Sequence, residues 1–411
     1  MQVRYKTQME IQLQKMIIFY FSDEEDITTE VLILADDGFD DISCINKSHN
    51  ISCNTFNYLF NHLSSKLGDH VIYIDGGEKH TYNSCSVNPI HIDSLNGNIM
   101  VTSHHKHSTP VQIICSLAIE ANRFEQNKNI TFQNLLFYSK SLSSTNVSVI
   151  FHDIHFINVS FTDTFMPENS HLKFYMKNCM LNLSFVDFQK TYLHIKIVSV
   201  SFSGGAFNLL CQFCSILFVS STIFAVETQS EGIEYLLSLS QQNITEWSVK
   251  RNVLIFEEIE VYGTLDNFNK FLDLKLGTPV VHIKSSRFTR IAQVINHDSL
   301  HQAHIVGHFI RIYMANSYFI DNHSPQSGPI LNVHISRGVV IYVEVKIIGC
   351  SFFNNSAQFQ GGAISFTTGK FSVLEGSDSS IKLWVYNSTF IDNVAKHSGG
   401  SIYIGKKVIL K

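Results

Sequence analysis

Apolar residues in this chain recur at every second position, as in Ile381-Leu383-Val385 and Ile402-Ile404. That spacing puts alternate side chains on one face of a strand. No 3.6-residue pattern runs through these segments, so the elements expected are strands joined by turns. The strands also belong to a larger unit that repeats. Four segments align without gaps on a phenylalanine: VVHIKSSRF ending at Phe288, IYMANSYF at Phe319, KIIGCSF at Phe352 and WVYNSTF at Phe390. A small residue lies two positions before each (Ser286, Ser317, Cys350, Ser388), and an Asn lies three positions after the last three (Asn322, Asn355, Asn393). A glycine step follows (Gly328-Pro329, Gly361-Gly362, Gly399-Gly400). Then comes a strand in which Leu331, Ile364 and Ile402 match, as do Val333, Phe366 and Ile404.

The four phenylalanines are 31, 33 and 38 residues apart. Units of this kind satisfy their backbone hydrogen bonds by stacking in parallel at about 4.8 Å per turn, which sets like residues above like. The prediction is an all-β chain, a right-handed parallel β-helix over residues 121–411 with about ten turns. In it, Phe288, Phe319, Phe352 and Phe390 stack as a core column. Asn322, Asn355 and Asn393 take one corner, where Asn tolerates left-handed backbone and stacked amides hydrogen-bond to each other. Gly361, Gly362, Gly399 and Gly400 supply positive φ or close backbone approach. Variation in length falls in loops such as 367–380. Weaker copies lie upstream. ITFQNLLF (130–137) and VIFHDIHF (149–156) align at an offset of 19, which pairs Asn134 with Asp153 and Phe137 with Phe156. Segments at 172–185, 195–209 and 253–262 read as further strands.

Residues 1–29 carry no clear element, and 30–120 read as an N-terminal cap leading into the first turns. A strand at Glu30–Ala35 precedes the acidic loop DDGFDD (36–41). Phe56, Leu59, Phe60 and Leu63 then form the i, i+3, i+4, i+7 face of a short amphipathic helix over about 55–66. Gly68-Asp69 stops it before a strand at 71–74. A helix of this kind suits a lid, because the end of a β-helix exposes core side chains and unpaired strand edges. Residues 205–226 are uncharged and long enough to span a bilayer. Their β-branched and aromatic content reads instead as two consecutive buried strands.

Hydrophobic residues make up 45% of the 411, with 32 Phe, which is ample for a core of pleated surfaces. A net charge of −5 gives no electrostatic case for a nucleic-acid partner. Ten Asn-X-Ser/Thr sequons start at Asn46, Asn50, Asn129, Asn146, Asn158, Asn182, Asn243, Asn322, Asn354 and Asn387. Chance in a chain with 31 Asn gives about half that number, so the excess tilts toward a secreted glycoprotein. The apolar run at 16–21 is short for a signal peptide, and no small-residue cleavage site follows it. The chain stops inside a repeat at GGSIYIGKKVILK, which predicts a longer protein and leaves room for a membrane anchor beyond residue 411.

Cys44 and Cys53 lie close enough in sequence to form a disulfide; unpaired loop thiols are the other reading. Cys211 and Cys214 sit in an apolar run without a second Cys pair and read as core thiols. The histidines at 104, 105 and 107, and at 301, 304 and 308, have metal-ligand spacing. They lack the Glu of a metalloprotease motif and read as loop and strand histidines. The DDGFDD loop lacks the full EF-hand spacing and reads as an exposed acidic turn. No metal and no cofactor is expected.

FFNNSAQFQGGAISF (352–366) and FIDNVAKHSGGSIYI (390–404) resemble the polymorphic outer membrane protein repeat, with its Phe-X-X-Asn followed by Gly-Gly-Ala-Ile. At Phe319 the match is partial, with Gly328-Pro329 in place of Gly-Gly, and Ser401 replaces the Ala of the pattern. The order DDGFDD, Cys44, Cys53, helix, VIYIDGG is similar to the capping region that precedes such repeats. Close motifs cover under a third of the chain. The resemblance implies a pectin-lyase-like fold and extracellular or cell-surface placement. It also implies a non-enzymatic role in adhesion, with a protein or carbohydrate surface ligand. The alternative is a carbohydrate-active β-helix, a polysaccharide lyase or glycoside hydrolase. Such an enzyme needs carboxylates gathered with basic partners on one strand face. In the clear repeats the acids Asp321, Glu344, Glu375, Asp378 and Asp392 are scattered.

Overall fold

In the computed structural model the chain is a parallel β-helix. The described residues are 30–45, 52–63, 68–77, most of the strands between 81 and 163, and then 171–224, 235–240, 252–263, 270–275, 279–298, 308–335, 341–368 and 380–405. The strands of successive coils form three sheet faces, the first coil contributing to one of them only, and among the described residues every strand pairing between coils is parallel. Face I runs from Glu30–Ala35 to Thr389–Ile391, face II from Thr81–Tyr82 to Ile402–Ile404, and face III from Ile90–Ile92 to Ser380–Tyr386.

One register position can be followed through the whole of face I. It starts at Leu32, passes Ile72, Val101, Phe132, Phe156, Leu181, Phe202, Ile223 and Val261, and ends on Phe288, Phe319, Phe352 and Phe390. Those thirteen positions mark thirteen coils, an axis about 58 Å long at 4.8 Å per coil. Among the described residues the stacking starts at Glu30, within the segment expected as a cap leading into the first turns. The early coils lack the repeated Phe, Asn and Gly, so only backbone pairing reveals them.

Phe288, Phe319 and Phe352 are buried and Phe390 is half-buried against the same core. Ring centroids along this column are 5.4, 4.9 and 4.4 Å apart. Phe271, from face II, meets Phe288 at 5.2 Å and Phe256, from face III, at 5.1 Å, so the three faces share one aromatic core. Each such pair adds about 0.5–1.5 kcal/mol beyond its buried area.

The corner from face III to face I is one left-handed residue in eight successive coils, from Asn178 and Ser199 to Gly349 and Asn387, with φ between 45° and 63°. Most of these are not glycine, so each carries a conformational cost of about 1–2 kcal/mol. Side-chain hydrogen bonds one residue on offset it. Ser317 Oγ donates to the Ala315 carbonyl at 2.8 Å and accepts from the Ser286 N–H of the preceding coil at 3.2 Å. Ser286 and Ser388 repeat the arrangement. This is the reason for the small residue two positions before each phenylalanine.

The expected alignment at offset 19 is corrected. Phe156 pairs with Phe132 on face I, whereas Phe137 pairs with Phe161 on face II. Each of these coils places a Phe on two faces, and the sequence match joined the second strand of one coil to the first of the next. Asn134 and Asp153 lie outside the described residues.

The helix forms at Phe56–Leu63, with Phe56, Leu59, Phe60 and Leu63 all buried. It packs beside Ile90–Ile92, and Phe56 meets the ring of Tyr82 edge-on at 5.4 Å. Tyr82 and Ile90–Ile92 begin faces II and III, so the helix covers the start of both. Of residues 205–226, the described ones, 205–224, fall in the strands Ser201–Val219 and Thr222–Phe224 and the turn between them; 225 and 226 lie outside the described residues. Ser201–Val219 is one strand that bends from face II, at 206–210, to face III, at 213–219. Among the described residues no helix is long and apolar enough to cross a membrane.

Candidate binding face

The three repeat asparagines form a regular ladder, and they face inward. Asn322 and Asn355 are fully buried. Asn322 Nδ2 donates to the Phe288 carbonyl (3.2 Å) and to Asn355 Oδ1 (2.9 Å); Asn355 Nδ2 donates to the Phe319 carbonyl (3.0 Å) and to Asn393 Oδ1 (2.8 Å). Each Oδ1 also accepts a backbone N–H from the preceding coil: Ile291 to Asn322, Asn322 to Asn355 and Asn355 to Asn393. The left-handed backbone expected at these asparagines belongs to the residue before each: Asp321, Asn354 and Asp392, at φ 51–54°. The amide that holds the corner thus differs from the residue that makes the bend. Gly361 and Gly399 have φ of 64° and 71°. Gly362 has none of this freedom but lies under Gly400, where a Cβ would fall 2.0 Å from the carbonyl oxygen.

Burial removes one sequon. Asn322 has no exposed surface and its amide nitrogen is bound twice, so a glycan there would dismantle the corner. Asn354 and Asn387 are exposed, Asn182 is half-buried and Asn146 opens a strand. Asn46, Asn50, Asn129, Asn158 and Asn243 lie outside the described residues, as do the histidines at 104, 105, 107, 301 and 304.

Cys44 and Cys53 form a disulfide. Cys211 and Cys214, expected as separate thiols, are also joined. On a flat strand, residues three apart face opposite sides. Here the strand turns between face II and face III, and both side chains point into the core. Cys350 stays free and buried, and burial pushes its thiol up from the ordinary range. The acidic loop is structural. Asp40 accepts the backbone N–H of Asn54 and of Thr55, each at 2.9 Å, and Asp36 accepts that of Ser84 at 2.9 Å. A shallow pocket beside it is lined by Asp40, Thr55, Tyr58 and His62.

Outer surfaces remain. On face II a polar row runs through Ser238, Asp273, Asn296, Asn332 and Ser365. Asn332 Nδ2 donates to Asn296 Oδ1 at 3.0 Å, and Asn296 Nδ2 donates to Asp273 Oδ1 at 3.1 Å. Leu272 and Leu274 point to the core on either side of Asp273, yet Asp273 itself is only 1% exposed.

Face III carries a half-buried outward row in continuous register. Its register sets Tyr175, Lys196, Leu217, Ile255, His282, Tyr313, Lys346 and Trp384 one above another in eight successive coils. Lys196 lies over the Tyr175 ring at 5.3 Å, and His282 stacks on Tyr313 at 4.8 Å. Lys346 sits between Tyr313 and Trp384, at 5.4 and 5.1 Å from their ring centroids. In the neighbouring row Glu344 pairs with Arg311 and with Lys346, both at 3.3 Å. Partial burial lowers the pKa of His282. Sequence reading found none of this row, because its members share no residue type and align only once the register is known. Comparison with protein-family models and with curated proteins finds no match.

Proposed function

We propose that this chain is a non-enzymatic extracellular or cell-surface protein whose outer sheet faces present a binding or adhesion surface, in the manner implied by the polymorphic outer membrane protein repeat. The observation that carries this reading is the half-buried outward row on face III, held in register over eight coils, in which aromatic and cationic side chains flank Leu217 and Ile255. A rigid stack of strands fixes such side chains with little further loss of conformational freedom on binding, which favours recognition by a surface. The exposed sequons Asn354 and Asn387 support secretion.

Expression through a eukaryotic secretory route tests the placement. Glycans at Asn354 and Asn387, with none at Asn322, are expected from peptide mapping; a chain retained unglycosylated in the cytosol sinks the extracellular reading. Immobilised chain challenged with arrays of glycans and surface proteins tests the binding role, and silence across both arrays defeats it. One observation favours the carbohydrate-active alternative, the nearly closed carboxylate of Asp273 within the polar row of face II. Turnover of pectin, alginate or chondroitin polymers that disappears in Asp273→Asn would establish that alternative; no turnover retires it.

A further inference from the structure

Apart from Phe39 and Ile42, every well-exposed large apolar side chain among the described residues lies between Tyr318 and Val394, in the last three coils. Five of them share face I and the corner that leads into it from face III. The register sets Ile348 beside Tyr386 at that corner and Phe353 beside Ile391 on the face, with Tyr318 one coil earlier. The preceding coils hold charge at the same positions. Glu257 and Lys284 come before Ala315, Ile348 and Tyr386 in the corner row, and Glu260 and Arg287 come before Tyr318 on the face. The end of the stack does not cause the exposure. Ile348 and Phe353 have a coil on either side and are still 46% and 44% exposed. A contiguous apolar patch of this kind is either covered by something or draws copies of the chain together.

The same coils carry the two exposed sequons, and these bracket the patch. Asn387 directly follows Tyr386 at the corner from face III to face I, and Asn354 directly follows Phe353 at the corner from face I to face II. Both residues are left-handed, at φ 45° and 51°. In the last coil the counterpart of Asn354 is Asp392, five positions after Asn387. That is about 17 Å of extended chain between the two corners. A flat partner, a second copy of this chain included, would meet a bulky glycan at each edge before it met the patch. A glycan rooted at either corner reaches the patch along the surface. The ring before each sequon is exposed, and its electron-rich face suits the C–H face of a sugar. Asn354 Nδ2 also donates to Asp321 Oδ1 at 2.8 Å, and a glycosylated amide keeps one N–H for that bond, which holds the root of the glycan still. We infer, resting on the extracellular reading above, that N-glycans at Asn354 and Asn387 fold back onto face I. There they cover Tyr318, Ile348, Phe353, Tyr386 and Ile391 and keep the chain from associating through them.

The full chain secreted from eukaryotic cells tests this, with peptide mapping of both sites first. Empty sites on a secreted chain overturn the inference alone; retention in the cytosol without glycans takes the extracellular reading with it. The variant Ser356→Ala, Thr389→Ala, which lacks both sequons, should bind a hydrophobic dye several-fold more strongly than the glycoprotein and should self-associate in sedimentation velocity. Enzymatic release of the glycans from the folded glycoprotein should do the same, whatever the variant's folding. Adding Phe353→Ser, Tyr386→Ser and Ile391→Ser to the sequon-free chain should return both readings to those of the glycoprotein. With the N-acetyl methyl groups of the glycans isotopically labelled, ring currents should displace a methyl resonance upfield, and Phe353→Leu, Tyr386→Leu should return it toward the free-sugar position. Dye binding and sedimentation unchanged after glycan release, or a rise that the patch substitutions leave in place, overturns the cover. A fully glycosylated parent that self-associates, and ceases to with the patch substitutions, overturns it in favour of an interface between copies.

Discussion

The first coils and the last coils solve the same problem differently. From Phe288 to Phe390 equivalent positions repeat the same side chains, and the corners are closed by stacked Asn amides and Ser hydroxyls. Between Glu30 and His152 the matching positions hold Leu32, Ile72, Val101 and Phe132, and no non-glycine residue with positive φ occurs among the described residues before Asn178. Instead the first coil, in which Ile72 follows Leu32 by 40 positions, holds a disulfide and a buried helix. The tightest coils lie between these regions: only 21 residues separate Leu181 from Phe202, with each strand bending through all three faces without a loop. Parallel backbone pairing is thus the common requirement. Identical side chains are one way to hold the corners, and covalent and helical closure is another.

The largest effect that would break this comparison is in the core. Phe319→Ala should cost about 3–5 kcal/mol in urea unfolding, the usual range for a buried aromatic, and it removes the ring contacts to both Phe288 and Phe352. A cost under about 1 kcal/mol would mean that the C-terminal column contributes little and that the two regions are held alike.

Next in size is the corner. Asn355→Ala removes the acceptor of the Asn322 N–H and of the Asn322 side-chain amide, and one donor to the Phe319 carbonyl. At about 1–3 kcal/mol for each buried orphan, a loss of about 3 kcal/mol is expected. Asn354→Ala, one position earlier and exposed, should cost far less; equal effects would refute the ladder. In the N-terminal region the counterpart is the Cys44–Cys53 bond, which closes a loop of nine residues. On the chain-entropy account it contributes about 2–3 kcal/mol. The variant Cys44→Ser, Cys53→Ser should unfold at lower temperature, and the loss should appear in hydrogen exchange of the first coils and not of the last.

These differences explain what could be read in advance. Phe, Asn and Gly were legible in the last coils because each needs that residue type: a ring to stack, an amide with both donor and acceptor, a position without Cβ. The helix was legible because Phe56, Leu59, Phe60 and Leu63 fall on one face. The early coils were hidden because any apolar side chain serves in the face I column, so Ile72 and Val101 leave no repeated signature. The Phe137–Phe156 match failed because one coil carries phenylalanine on two faces, and sequence alone does not number the faces. The Cys211–Cys214 bond was masked by a corner that falls inside an unbroken strand. The row on face III was out of reach for a further reason. Outward positions are free to vary, so only the measured register shows that His282, Tyr313, Lys346 and Trp384 meet.

The smallest expected effect sharpens the contrast on the outside of those same late coils. His282 is partly buried between Ile255 and Tyr313, and that burial disfavours its charged form, holding its pKa below the ordinary value. An unfolded histidine takes up a proton near pH 6.5. Below that value the unfolded chain binds a proton that the folded chain resists, so this residue makes stability fall as pH drops from about 6.5 through the folded pKa. Above pH 6.5 it contributes no pH dependence. Urea midpoints at pH 7.5 and 5.5 should therefore differ more for the parent than for His282→Gln, with the remaining histidines common to both. If the two chains lose the same stability over that interval, His282 is solvated like a surface residue. The stacked row on face III would then be a loose arrangement of side chains, without the order that the inner columns of these coils show.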